Sequence, residues 1–317
     1  MLKQNTINPF IDQVVLTIDS MFENTNIPQS FKDYLYLICT GMILKYGRDY
    51  TKDIYSSINN TKYIYGLVGL QDKLSKEEYE YLLPRLKTNA NAYTISSVRT
   101  ENKQIKIQYK IIITKDRNNK LQLLEYLTHE LNHILSSLRN TFTKTNNGIY
   151  FRYGLFKTNL STPNKKESGR IFNEIINTLE TEDIINQLIE LRKYKIYNHK
   201  FLDALKMLDT IKEQYTATGY EPFVNLYRPL YNKKPFRDLI DKSMLEGNIE
   251  SIEKEINTKL ENSSYPEMIS ELDKLYDSYE FTKSKGLEKA YETSTQYLNF
   301  KNNIIYVLID YKPELAF

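Results

Sequence analysis

His129, Glu130 and His133 are spaced for metal chemistry. Residues 129–133 read His-Glu-Leu-Asn-His. Side chains four apart on a helix lie one above the other, so the two imidazoles can grip one zinc ion from one side. Glu130 stands between them, where it can reach a water on that metal. The chain has only three histidines, His129, His133 and His199. With so few, this spacing arises by chance at a rate on the order of two in a thousand, which favours a metal-site reading.

The elements around the motif must hold it on a helix. Leu123, Leu124, Leu127, Leu131, Ile134, Leu135 and Leu138 recur at helical period and predict a helix over about 120–138. Asn119 is placed to cap it, with Gln122 three residues on. Before it, 92–98 and 104–114 are rich in Ile, Tyr, Val and Thr. Ile105, Ile107, Tyr109, Ile111 and Ile113 alternate, as in a half-buried strand. Residues 100–103 form a polar hairpin loop, 115–119 a polar turn, and 62–67 a further strand. The expected sheet is small and mixed or antiparallel.

Elsewhere helical period dominates. Helices are expected over 9–22, 28–46 and 75–86, the last with Ser75 and Glu78 as a capping box. A strand is expected over 148–157 and a polar loop over 161–168. A long helix follows from Gly169 to about Tyr194. The remainder reads as helices over 203–214, 236–245, 249–260, 268–279 and 286–300, broken mainly at 219–235. Residues 301–311 suit a short strand or a final helix.

Composition narrows the class. The chain has 317 residues and is 41% hydrophobic, enough for a sizeable core. Lys and Arg exceed Asp and Glu by only three, so no basic surface argues for nucleic acid or anionic membrane. Trp is absent and Tyr reaches 27, so tyrosines must share the interior packing. Cys39 is the only cysteine. It lies in the apolar run 35–44, as a buried thiol would, and a chain without disulfides fits a reducing compartment. No signal peptide is recognisable, and no apolar stretch approaches the ~20 residues of a membrane span. A cytoplasmic location is the expectation.

Residues 104–190 resemble the zinc metallopeptidases known as zincins. The flanks Tyr126-Leu127-Thr128 and Ile134-Leu135, uncharged around the motif, carry the likeness. The third ligand sorts the branches of that group. One branch puts a third His six residues past the second, but Arg139 occupies that position. Another uses Asp after a Gly-Thr turn, which this sequence lacks. The gluzincin branch uses a Glu on a later helix, often preceded by Asn, and Asn173-Glu174 stands there. The resemblance makes Glu174 the expected third ligand. Glu180 and His199 are the alternatives. Glu180 and Glu182 are otherwise read as solvated helix residues, and His199 as a loop residue able to face a developing oxyanion. Thr178 or Asn177 is placed to hydrogen-bond a ligand. Candidate oxyanion donors lie in the C-terminal region or at Phe151-Arg152-Tyr153. The likeness also assigns 104–114, or its neighbour, as the edge on which an extended substrate lies.

The expected fold is therefore α+β with a zincin-like, bilobed architecture. A helical region spans 1–90, a catalytic core with sheet, motif helix and ligand helix spans 91–195, and a helical C-terminal lobe spans 196–317. The expected activity is hydrolysis of a peptide bond in a peptide or protein, with one Zn2+ held by His129, His133 and Glu174 and with Glu130 as general base. No nucleic acid or membrane partner is expected. Two alternatives share these residues. One is a narrow-specificity regulatory or toxin-like protease acting on a single partner protein. The other is a non-catalytic helical interaction protein whose motif is coincidental or degenerate.

Overall fold

Apolar residues at helical period give way twice to β-rich stretches, and the observed elements follow that order. In the computed structural model they are α1 (Gln4–Met21), α2 (Gln29–Tyr46), α3 (Thr51–Asn59), β1 (Thr61–Tyr65), α4 (Leu70–Lys73), α5 (Lys76–Leu82), β2 (Ala92–Glu101), β3 (Gln104–Ile113) and α6 (Lys120–Ser137). There follow β4 (Phe142–Thr145), β5 (Gly148–Tyr153), β6 (Phe156–Asn159), α7 (Arg170–Glu190), α8 (His199–Leu205), α9 (Phe223–Tyr231), α10 (Lys234–Glu246), α11 (Ile249–Lys259), α12 (Tyr265–Lys283) and α13 (Thr295–Phe300). The structure describes residues 3–25, 27–84, 86, 92–101, 104–113, 119–138, 142–145, 148–159, 169–217, 219–247, 249–260, 263–287, 291–305 and 307–308. The expected turn at 115–118 and the loop at 161–168 lie outside these residues. The fold is α+β, mainly helical with small sheets. Among the described residues, no helix is long and apolar enough to cross a membrane.

The chain forms two compact units, 1–135 with 180–217 and 136–179 with 218–317. In the first, α2 is apolar on every side. Its residues from Tyr34 to Ile43 are all buried, as suits a helix packed all round. Each such Leu or Ile contributes about 1.5–3 kcal/mol by leaving water. Gly41 marks where α2 meets α7. A Cβ there would lie 2.8 Å from Ile184 Cγ2 and 3.0 Å from the Ile184 carbonyl oxygen, so any larger residue must push the helices apart.

The sheet of this unit has the order β1-β3-β2, with β1 parallel and β2 antiparallel to β3. Tyr63 and Tyr65 of β1 both meet Phe31 of α2, with ring centroids 4.9 and 5.2 Å apart. Another cluster joins Ile64, Ile95 and Ile112 of the strands to Leu70, Leu74 and Leu82 around α4 and α5. The Ser75–Glu78 capping box forms as the sequence predicts. The Glu78 carboxylate also pairs with Lys110, buried on β3. An isolated ammonium there would be costly, and this pairing offsets its desolvation.

In the second unit, β4, β5 and β6 form an antiparallel sheet. The first half of α7 packs with α9–α13 in one core. Phe223 is its aromatic hub, with the rings of Tyr276, Tyr279, Tyr291 and Tyr297 at centroid distances of 5.7–6.3 Å. The tyrosines thus do the interior packing that a Trp-free chain requires.

Several expectations need correction. Residues 219–235 are not simply a break, because they contain α9. Its apolar residues Phe223, Val224, Leu226, Tyr227, Leu230 and Tyr231 are all buried, and that packing overrides Pro229 within the helix. The helix expected over 203–214 is displaced towards the N-terminus: α8 starts at His199, and one 3-10 turn to Leu208 ends the helical run. Residues 301–305 are helical, as a π turn, which is the second of the two alternatives expected there. β3 is the central strand over Tyr109–Ile113, so its neighbours β1 and β2 supply the sheet edges.

Candidate metal centre

The motif lies inside α6, as its period predicts. Asn119 Oδ1 accepts the Gln122 backbone N–H at 3.2 Å and starts the helix. Leu124, Leu127, Leu131, Ile134 and Leu135 are buried and fix which face of α6 turns inward. Next to that face, His133 is buried and His129 half-buried. Their Nε2 atoms lie 3.1 Å apart, with the rings edge-on at 85°. Two ligands on one tetrahedral zinc, with bonds of ~2.0–2.1 Å, lie about 3.3 Å apart. That separation is close to the spacing of two ligands on one ion, and in the absence of an ion it suits a hydrogen bond between the two rings. Glu130, between them, is half-buried.

Glu174, on α7, completes the group. Among the described residues, His129, His133 and Glu174 offer ligand atoms that all lie within 4.8 Å of one another. Two ligands on one tetrahedral zinc lie about 3.3 Å apart, so closure onto one ion needs up to about 1.5 Å of adjustment, within the reach of side-chain rotation. Two imidazoles and one carboxylate make three candidate ligands, one fewer than a tetrahedral ion takes. The residues present fit the ion.

The alternatives for the third ligand are placed elsewhere. Glu180 is not solvated as expected but completely buried. Lys45 Nζ lies 3.6 Å from its Oε1, and the Tyr46 hydroxyl bonds its Oε2. Glu182 is also buried rather than solvated, accepting the Ala217 backbone N–H at 3.0 Å. His199 is exposed at the start of α8, capped by Asn198, and stands outside the ligand group. Thr178 does not use its hydroxyl on a ligand side chain: it donates to the Glu174 backbone carbonyl at 2.9 Å. The side chains of Phe151, Arg152 and Tyr153 lie outside the described residues.

One neighbour of the ligands was not singled out by the sequence. Tyr220 is hydrogen-bonded to the Glu174 carboxylate. Burial, then the charge of Glu174, holds the Tyr220 hydroxyl well above the usual phenol range, so it keeps the proton it donates. Tyr276 also lies near Glu174, and the Tyr220 and Tyr276 rings are 5.8 Å apart. Tyr220 has φ +52, and among the described residues it is the non-glycine with positive φ. That conformation is uncommon for a bulky side chain and is held here by its surroundings. The available sequence signal was the Gly219–Pro222 turn chemistry, which marks a fixed loop without saying what it carries.

Residues 208–217 are fastened to α7 and to the 3-10 turn Leu191–Lys193 that follows it. Arg192 binds the carbonyls of Leu208 and Ile211, while Asn186 holds the backbone of Tyr215 through both its donor and its acceptor. Glu182 then holds Ala217. No family model matches this chain, and the comparisons with curated proteins and with solved structures find no match either.

Proposed function

We propose that this protein is a zinc-dependent peptidase with a gluzincin-like site and a zincin-like arrangement of motif and ligand helices. The observation that carries the reading is the convergence of the His129, His133 and Glu174 ligand atoms beside Glu130. His129, His133 and Glu174 would hold the ion. Zinc bound there supplies Lewis acidity toward the scissile carbonyl and brings a coordinated water toward neutral pKa.

The chain's own residues do the rest. Glu130 removes a proton from the attacking water and passes it to the leaving amine nitrogen. Tyr220 orients the Glu174 carboxylate through its hydroxyl. β1 and β2 are the edge strands of their sheet, the position at which an extended peptide would add by strand pairing. Cys39 is buried and unbridged, which fits a reducing, cytoplasmic setting.

Metal analysis and one variant test the reading. Purified protein should carry one zinc per chain, and chelation should lower its thermal stability, because a ligand bound only by the folded state stabilises that state. Glu130→Gln should retain zinc and lose peptide hydrolysis. Unchanged hydrolysis in that variant would refute the role of Glu130. Protein without stoichiometric zinc and indifferent to chelator would instead support a non-catalytic interaction protein.

A further inference from the structure

Asn132, inside the motif, is buried, and its side chain does not face solvent. Its Oδ1 lies 2.6 Å from the Tyr46 hydroxyl. The same hydroxyl bonds Glu180, which is fully buried on α7. Tyr46 is the last residue of α2, so one phenol joins three helices. One hydroxyl proton cannot serve two oxygens at once. The Tyr46 hydroxyl is within donating distance of both oxygens, Asn132 Oδ1 and a Glu180 carboxylate oxygen, and serves one at a time.

The neighbouring contacts make this a register device. Gly41 lets α2 approach Ile184, and Lys45 pairs with Asp183 at 3.1 Å and with Glu180 at 3.6 Å. As α2 advances from 41 to 46, its partners on α7 step back from 184 to 180. That antiparallel line leaves α7 little freedom to slide or turn against α2. Glu174 lies six residues earlier on the same helix, about 9 Å along its axis at 1.5 Å per residue. Asn132 adjoins His133 and is one turn from His129, so the Tyr46 bond connects the helix bearing the two histidines to the helix bearing the carboxylate. A slip of one residue turns a helix by about 100°, far more than a metal site tolerates.

We propose that Tyr46 is a positioning residue for the metal site, setting the phase of α6 against α7 through Asn132 and Glu180. This inference rests on the zinc reading above. Tyr46→Phe keeps the ring and removes the hydroxyl. Tyr36→Phe is the matched control: Tyr36 is also on α2, and its hydroxyl donates to a carboxylate, Asp19, at 2.5 Å, in a cluster of α1 and α2 side chains that includes none of the three ligands. Both variants lose one part-buried phenol–carboxylate bond. The zinc dissociation constant is measured by chelator competition on folded, metal-free protein, and the visible absorption of the cobalt-loaded protein reports ligand geometry.

Tyr46→Phe should weaken zinc by about 10–100-fold and alter the cobalt spectrum, the range seen when partners of metal ligands are removed. Tyr36→Phe should leave both unchanged while losing a similar amount of thermal stability. Equal zinc affinity and an unaltered cobalt spectrum in wild type and Tyr46→Phe would overturn the positioning role while leaving the zinc reading intact. A parallel loss of affinity in Tyr36→Phe would overturn it as well, by showing a general effect of destabilisation. Wild-type protein that binds no zinc would overturn both.

Discussion

Asn173 Oδ1 accepts the backbone N–H of Leu155 at 2.9 Å, and this bond separates Asn173 from its neighbour Glu174 in function. Glu174 offers a ligand atom within 4.8 Å of those of the histidines, whereas Asn173 fastens the turn between β5 and β6. Gly154 makes the bond possible. Its φ is +56, and an added Cβ would sit 2.4 Å from Asn173 Oδ1. Gly154→Ala should therefore meet two penalties, a left-handed backbone and a displaced asparagine that leaves a buried N–H unpaired. Together they should destabilise the protein by about 2–4 kcal/mol, measured by denaturant unfolding. A loss of less than about 1 kcal/mol would show that Asn173 moves aside freely.

Tyr220 makes a separable prediction. Its hydroxyl bonds the Glu174 carboxylate directly, so Tyr220→Phe should release that carboxylate from one orientation. Zinc affinity should fall about 10–100-fold. Hydrolysis at saturating zinc should fall less, because the ion restores the geometry once bound. A variant with unchanged zinc affinity but a turnover loss of about 10²-fold or more would move Tyr220 from orienting the ligand to stabilising the developing oxyanion.

The ligand set can be tested by contrast. Glu174→Gln replaces a carboxylate with a neutral amide and should weaken zinc by more than the ~10–100-fold typical of a partner outside the ligand set. His199→Ala should leave zinc binding and thermal stability within error, because His199 is exposed on α8 and outside the ligand group. Stoichiometric zinc in Glu174→Gln with wild-type affinity would return the third ligand to the remaining carboxylates.

What was legible in the sequence was local. The Asn119 cap, the leucine period of α6 and the Ser75–Glu78 box each depend on residues within a turn or two, and each formed. The grouping of Glu174 with His129 and His133 followed from the Asn-Glu pair lying on one helix and its expected partners forming a short motif on another. Glu180 was not. Its burial depends on Tyr46 and Lys45, more than 130 residues away, and nothing in the chain around it shows that pairing. α9 was obscured for a related reason. Pro229 breaks a helical pattern locally, yet six buried side chains outweigh it once the second unit's core assembles, while Pro222 and Pro235 fall at the starts of α9 and α10, where proline is tolerated. Tyr220 was hidden among 27 tyrosines, and only its left-handed backbone and its place beside Glu174 distinguish it.

Acid stability gives a prediction independent of metal. Asp19 lies on α1, with the Tyr36 hydroxyl at 2.5 Å, Lys200 Nζ at 2.6 Å and Lys32 Nζ at 3.8 Å. Burial pushes its carboxyl up, but the hydrogen bonds from Lys200 and Tyr36 and the charges of Lys200 and Lys32 outweigh that and hold it below the usual value of 3.8. A carboxylate depressed in the folded state stabilises the fold fully above its unfolded pKa. That contribution is lost as pH falls through the lower, folded value. Asp19→Asn keeps an acceptor for Tyr36 and removes only the charge. At pH 7 it should destabilise the protein by about 1 kcal/mol, since Lys200 is half exposed and partly screened. The difference in melting temperature between wild type and variant should shrink steadily once pH drops below about 4. A difference that stays constant from pH 7 to pH 3 would mean that the ionised form of Asp19 contributes nothing to joining α1 and α2.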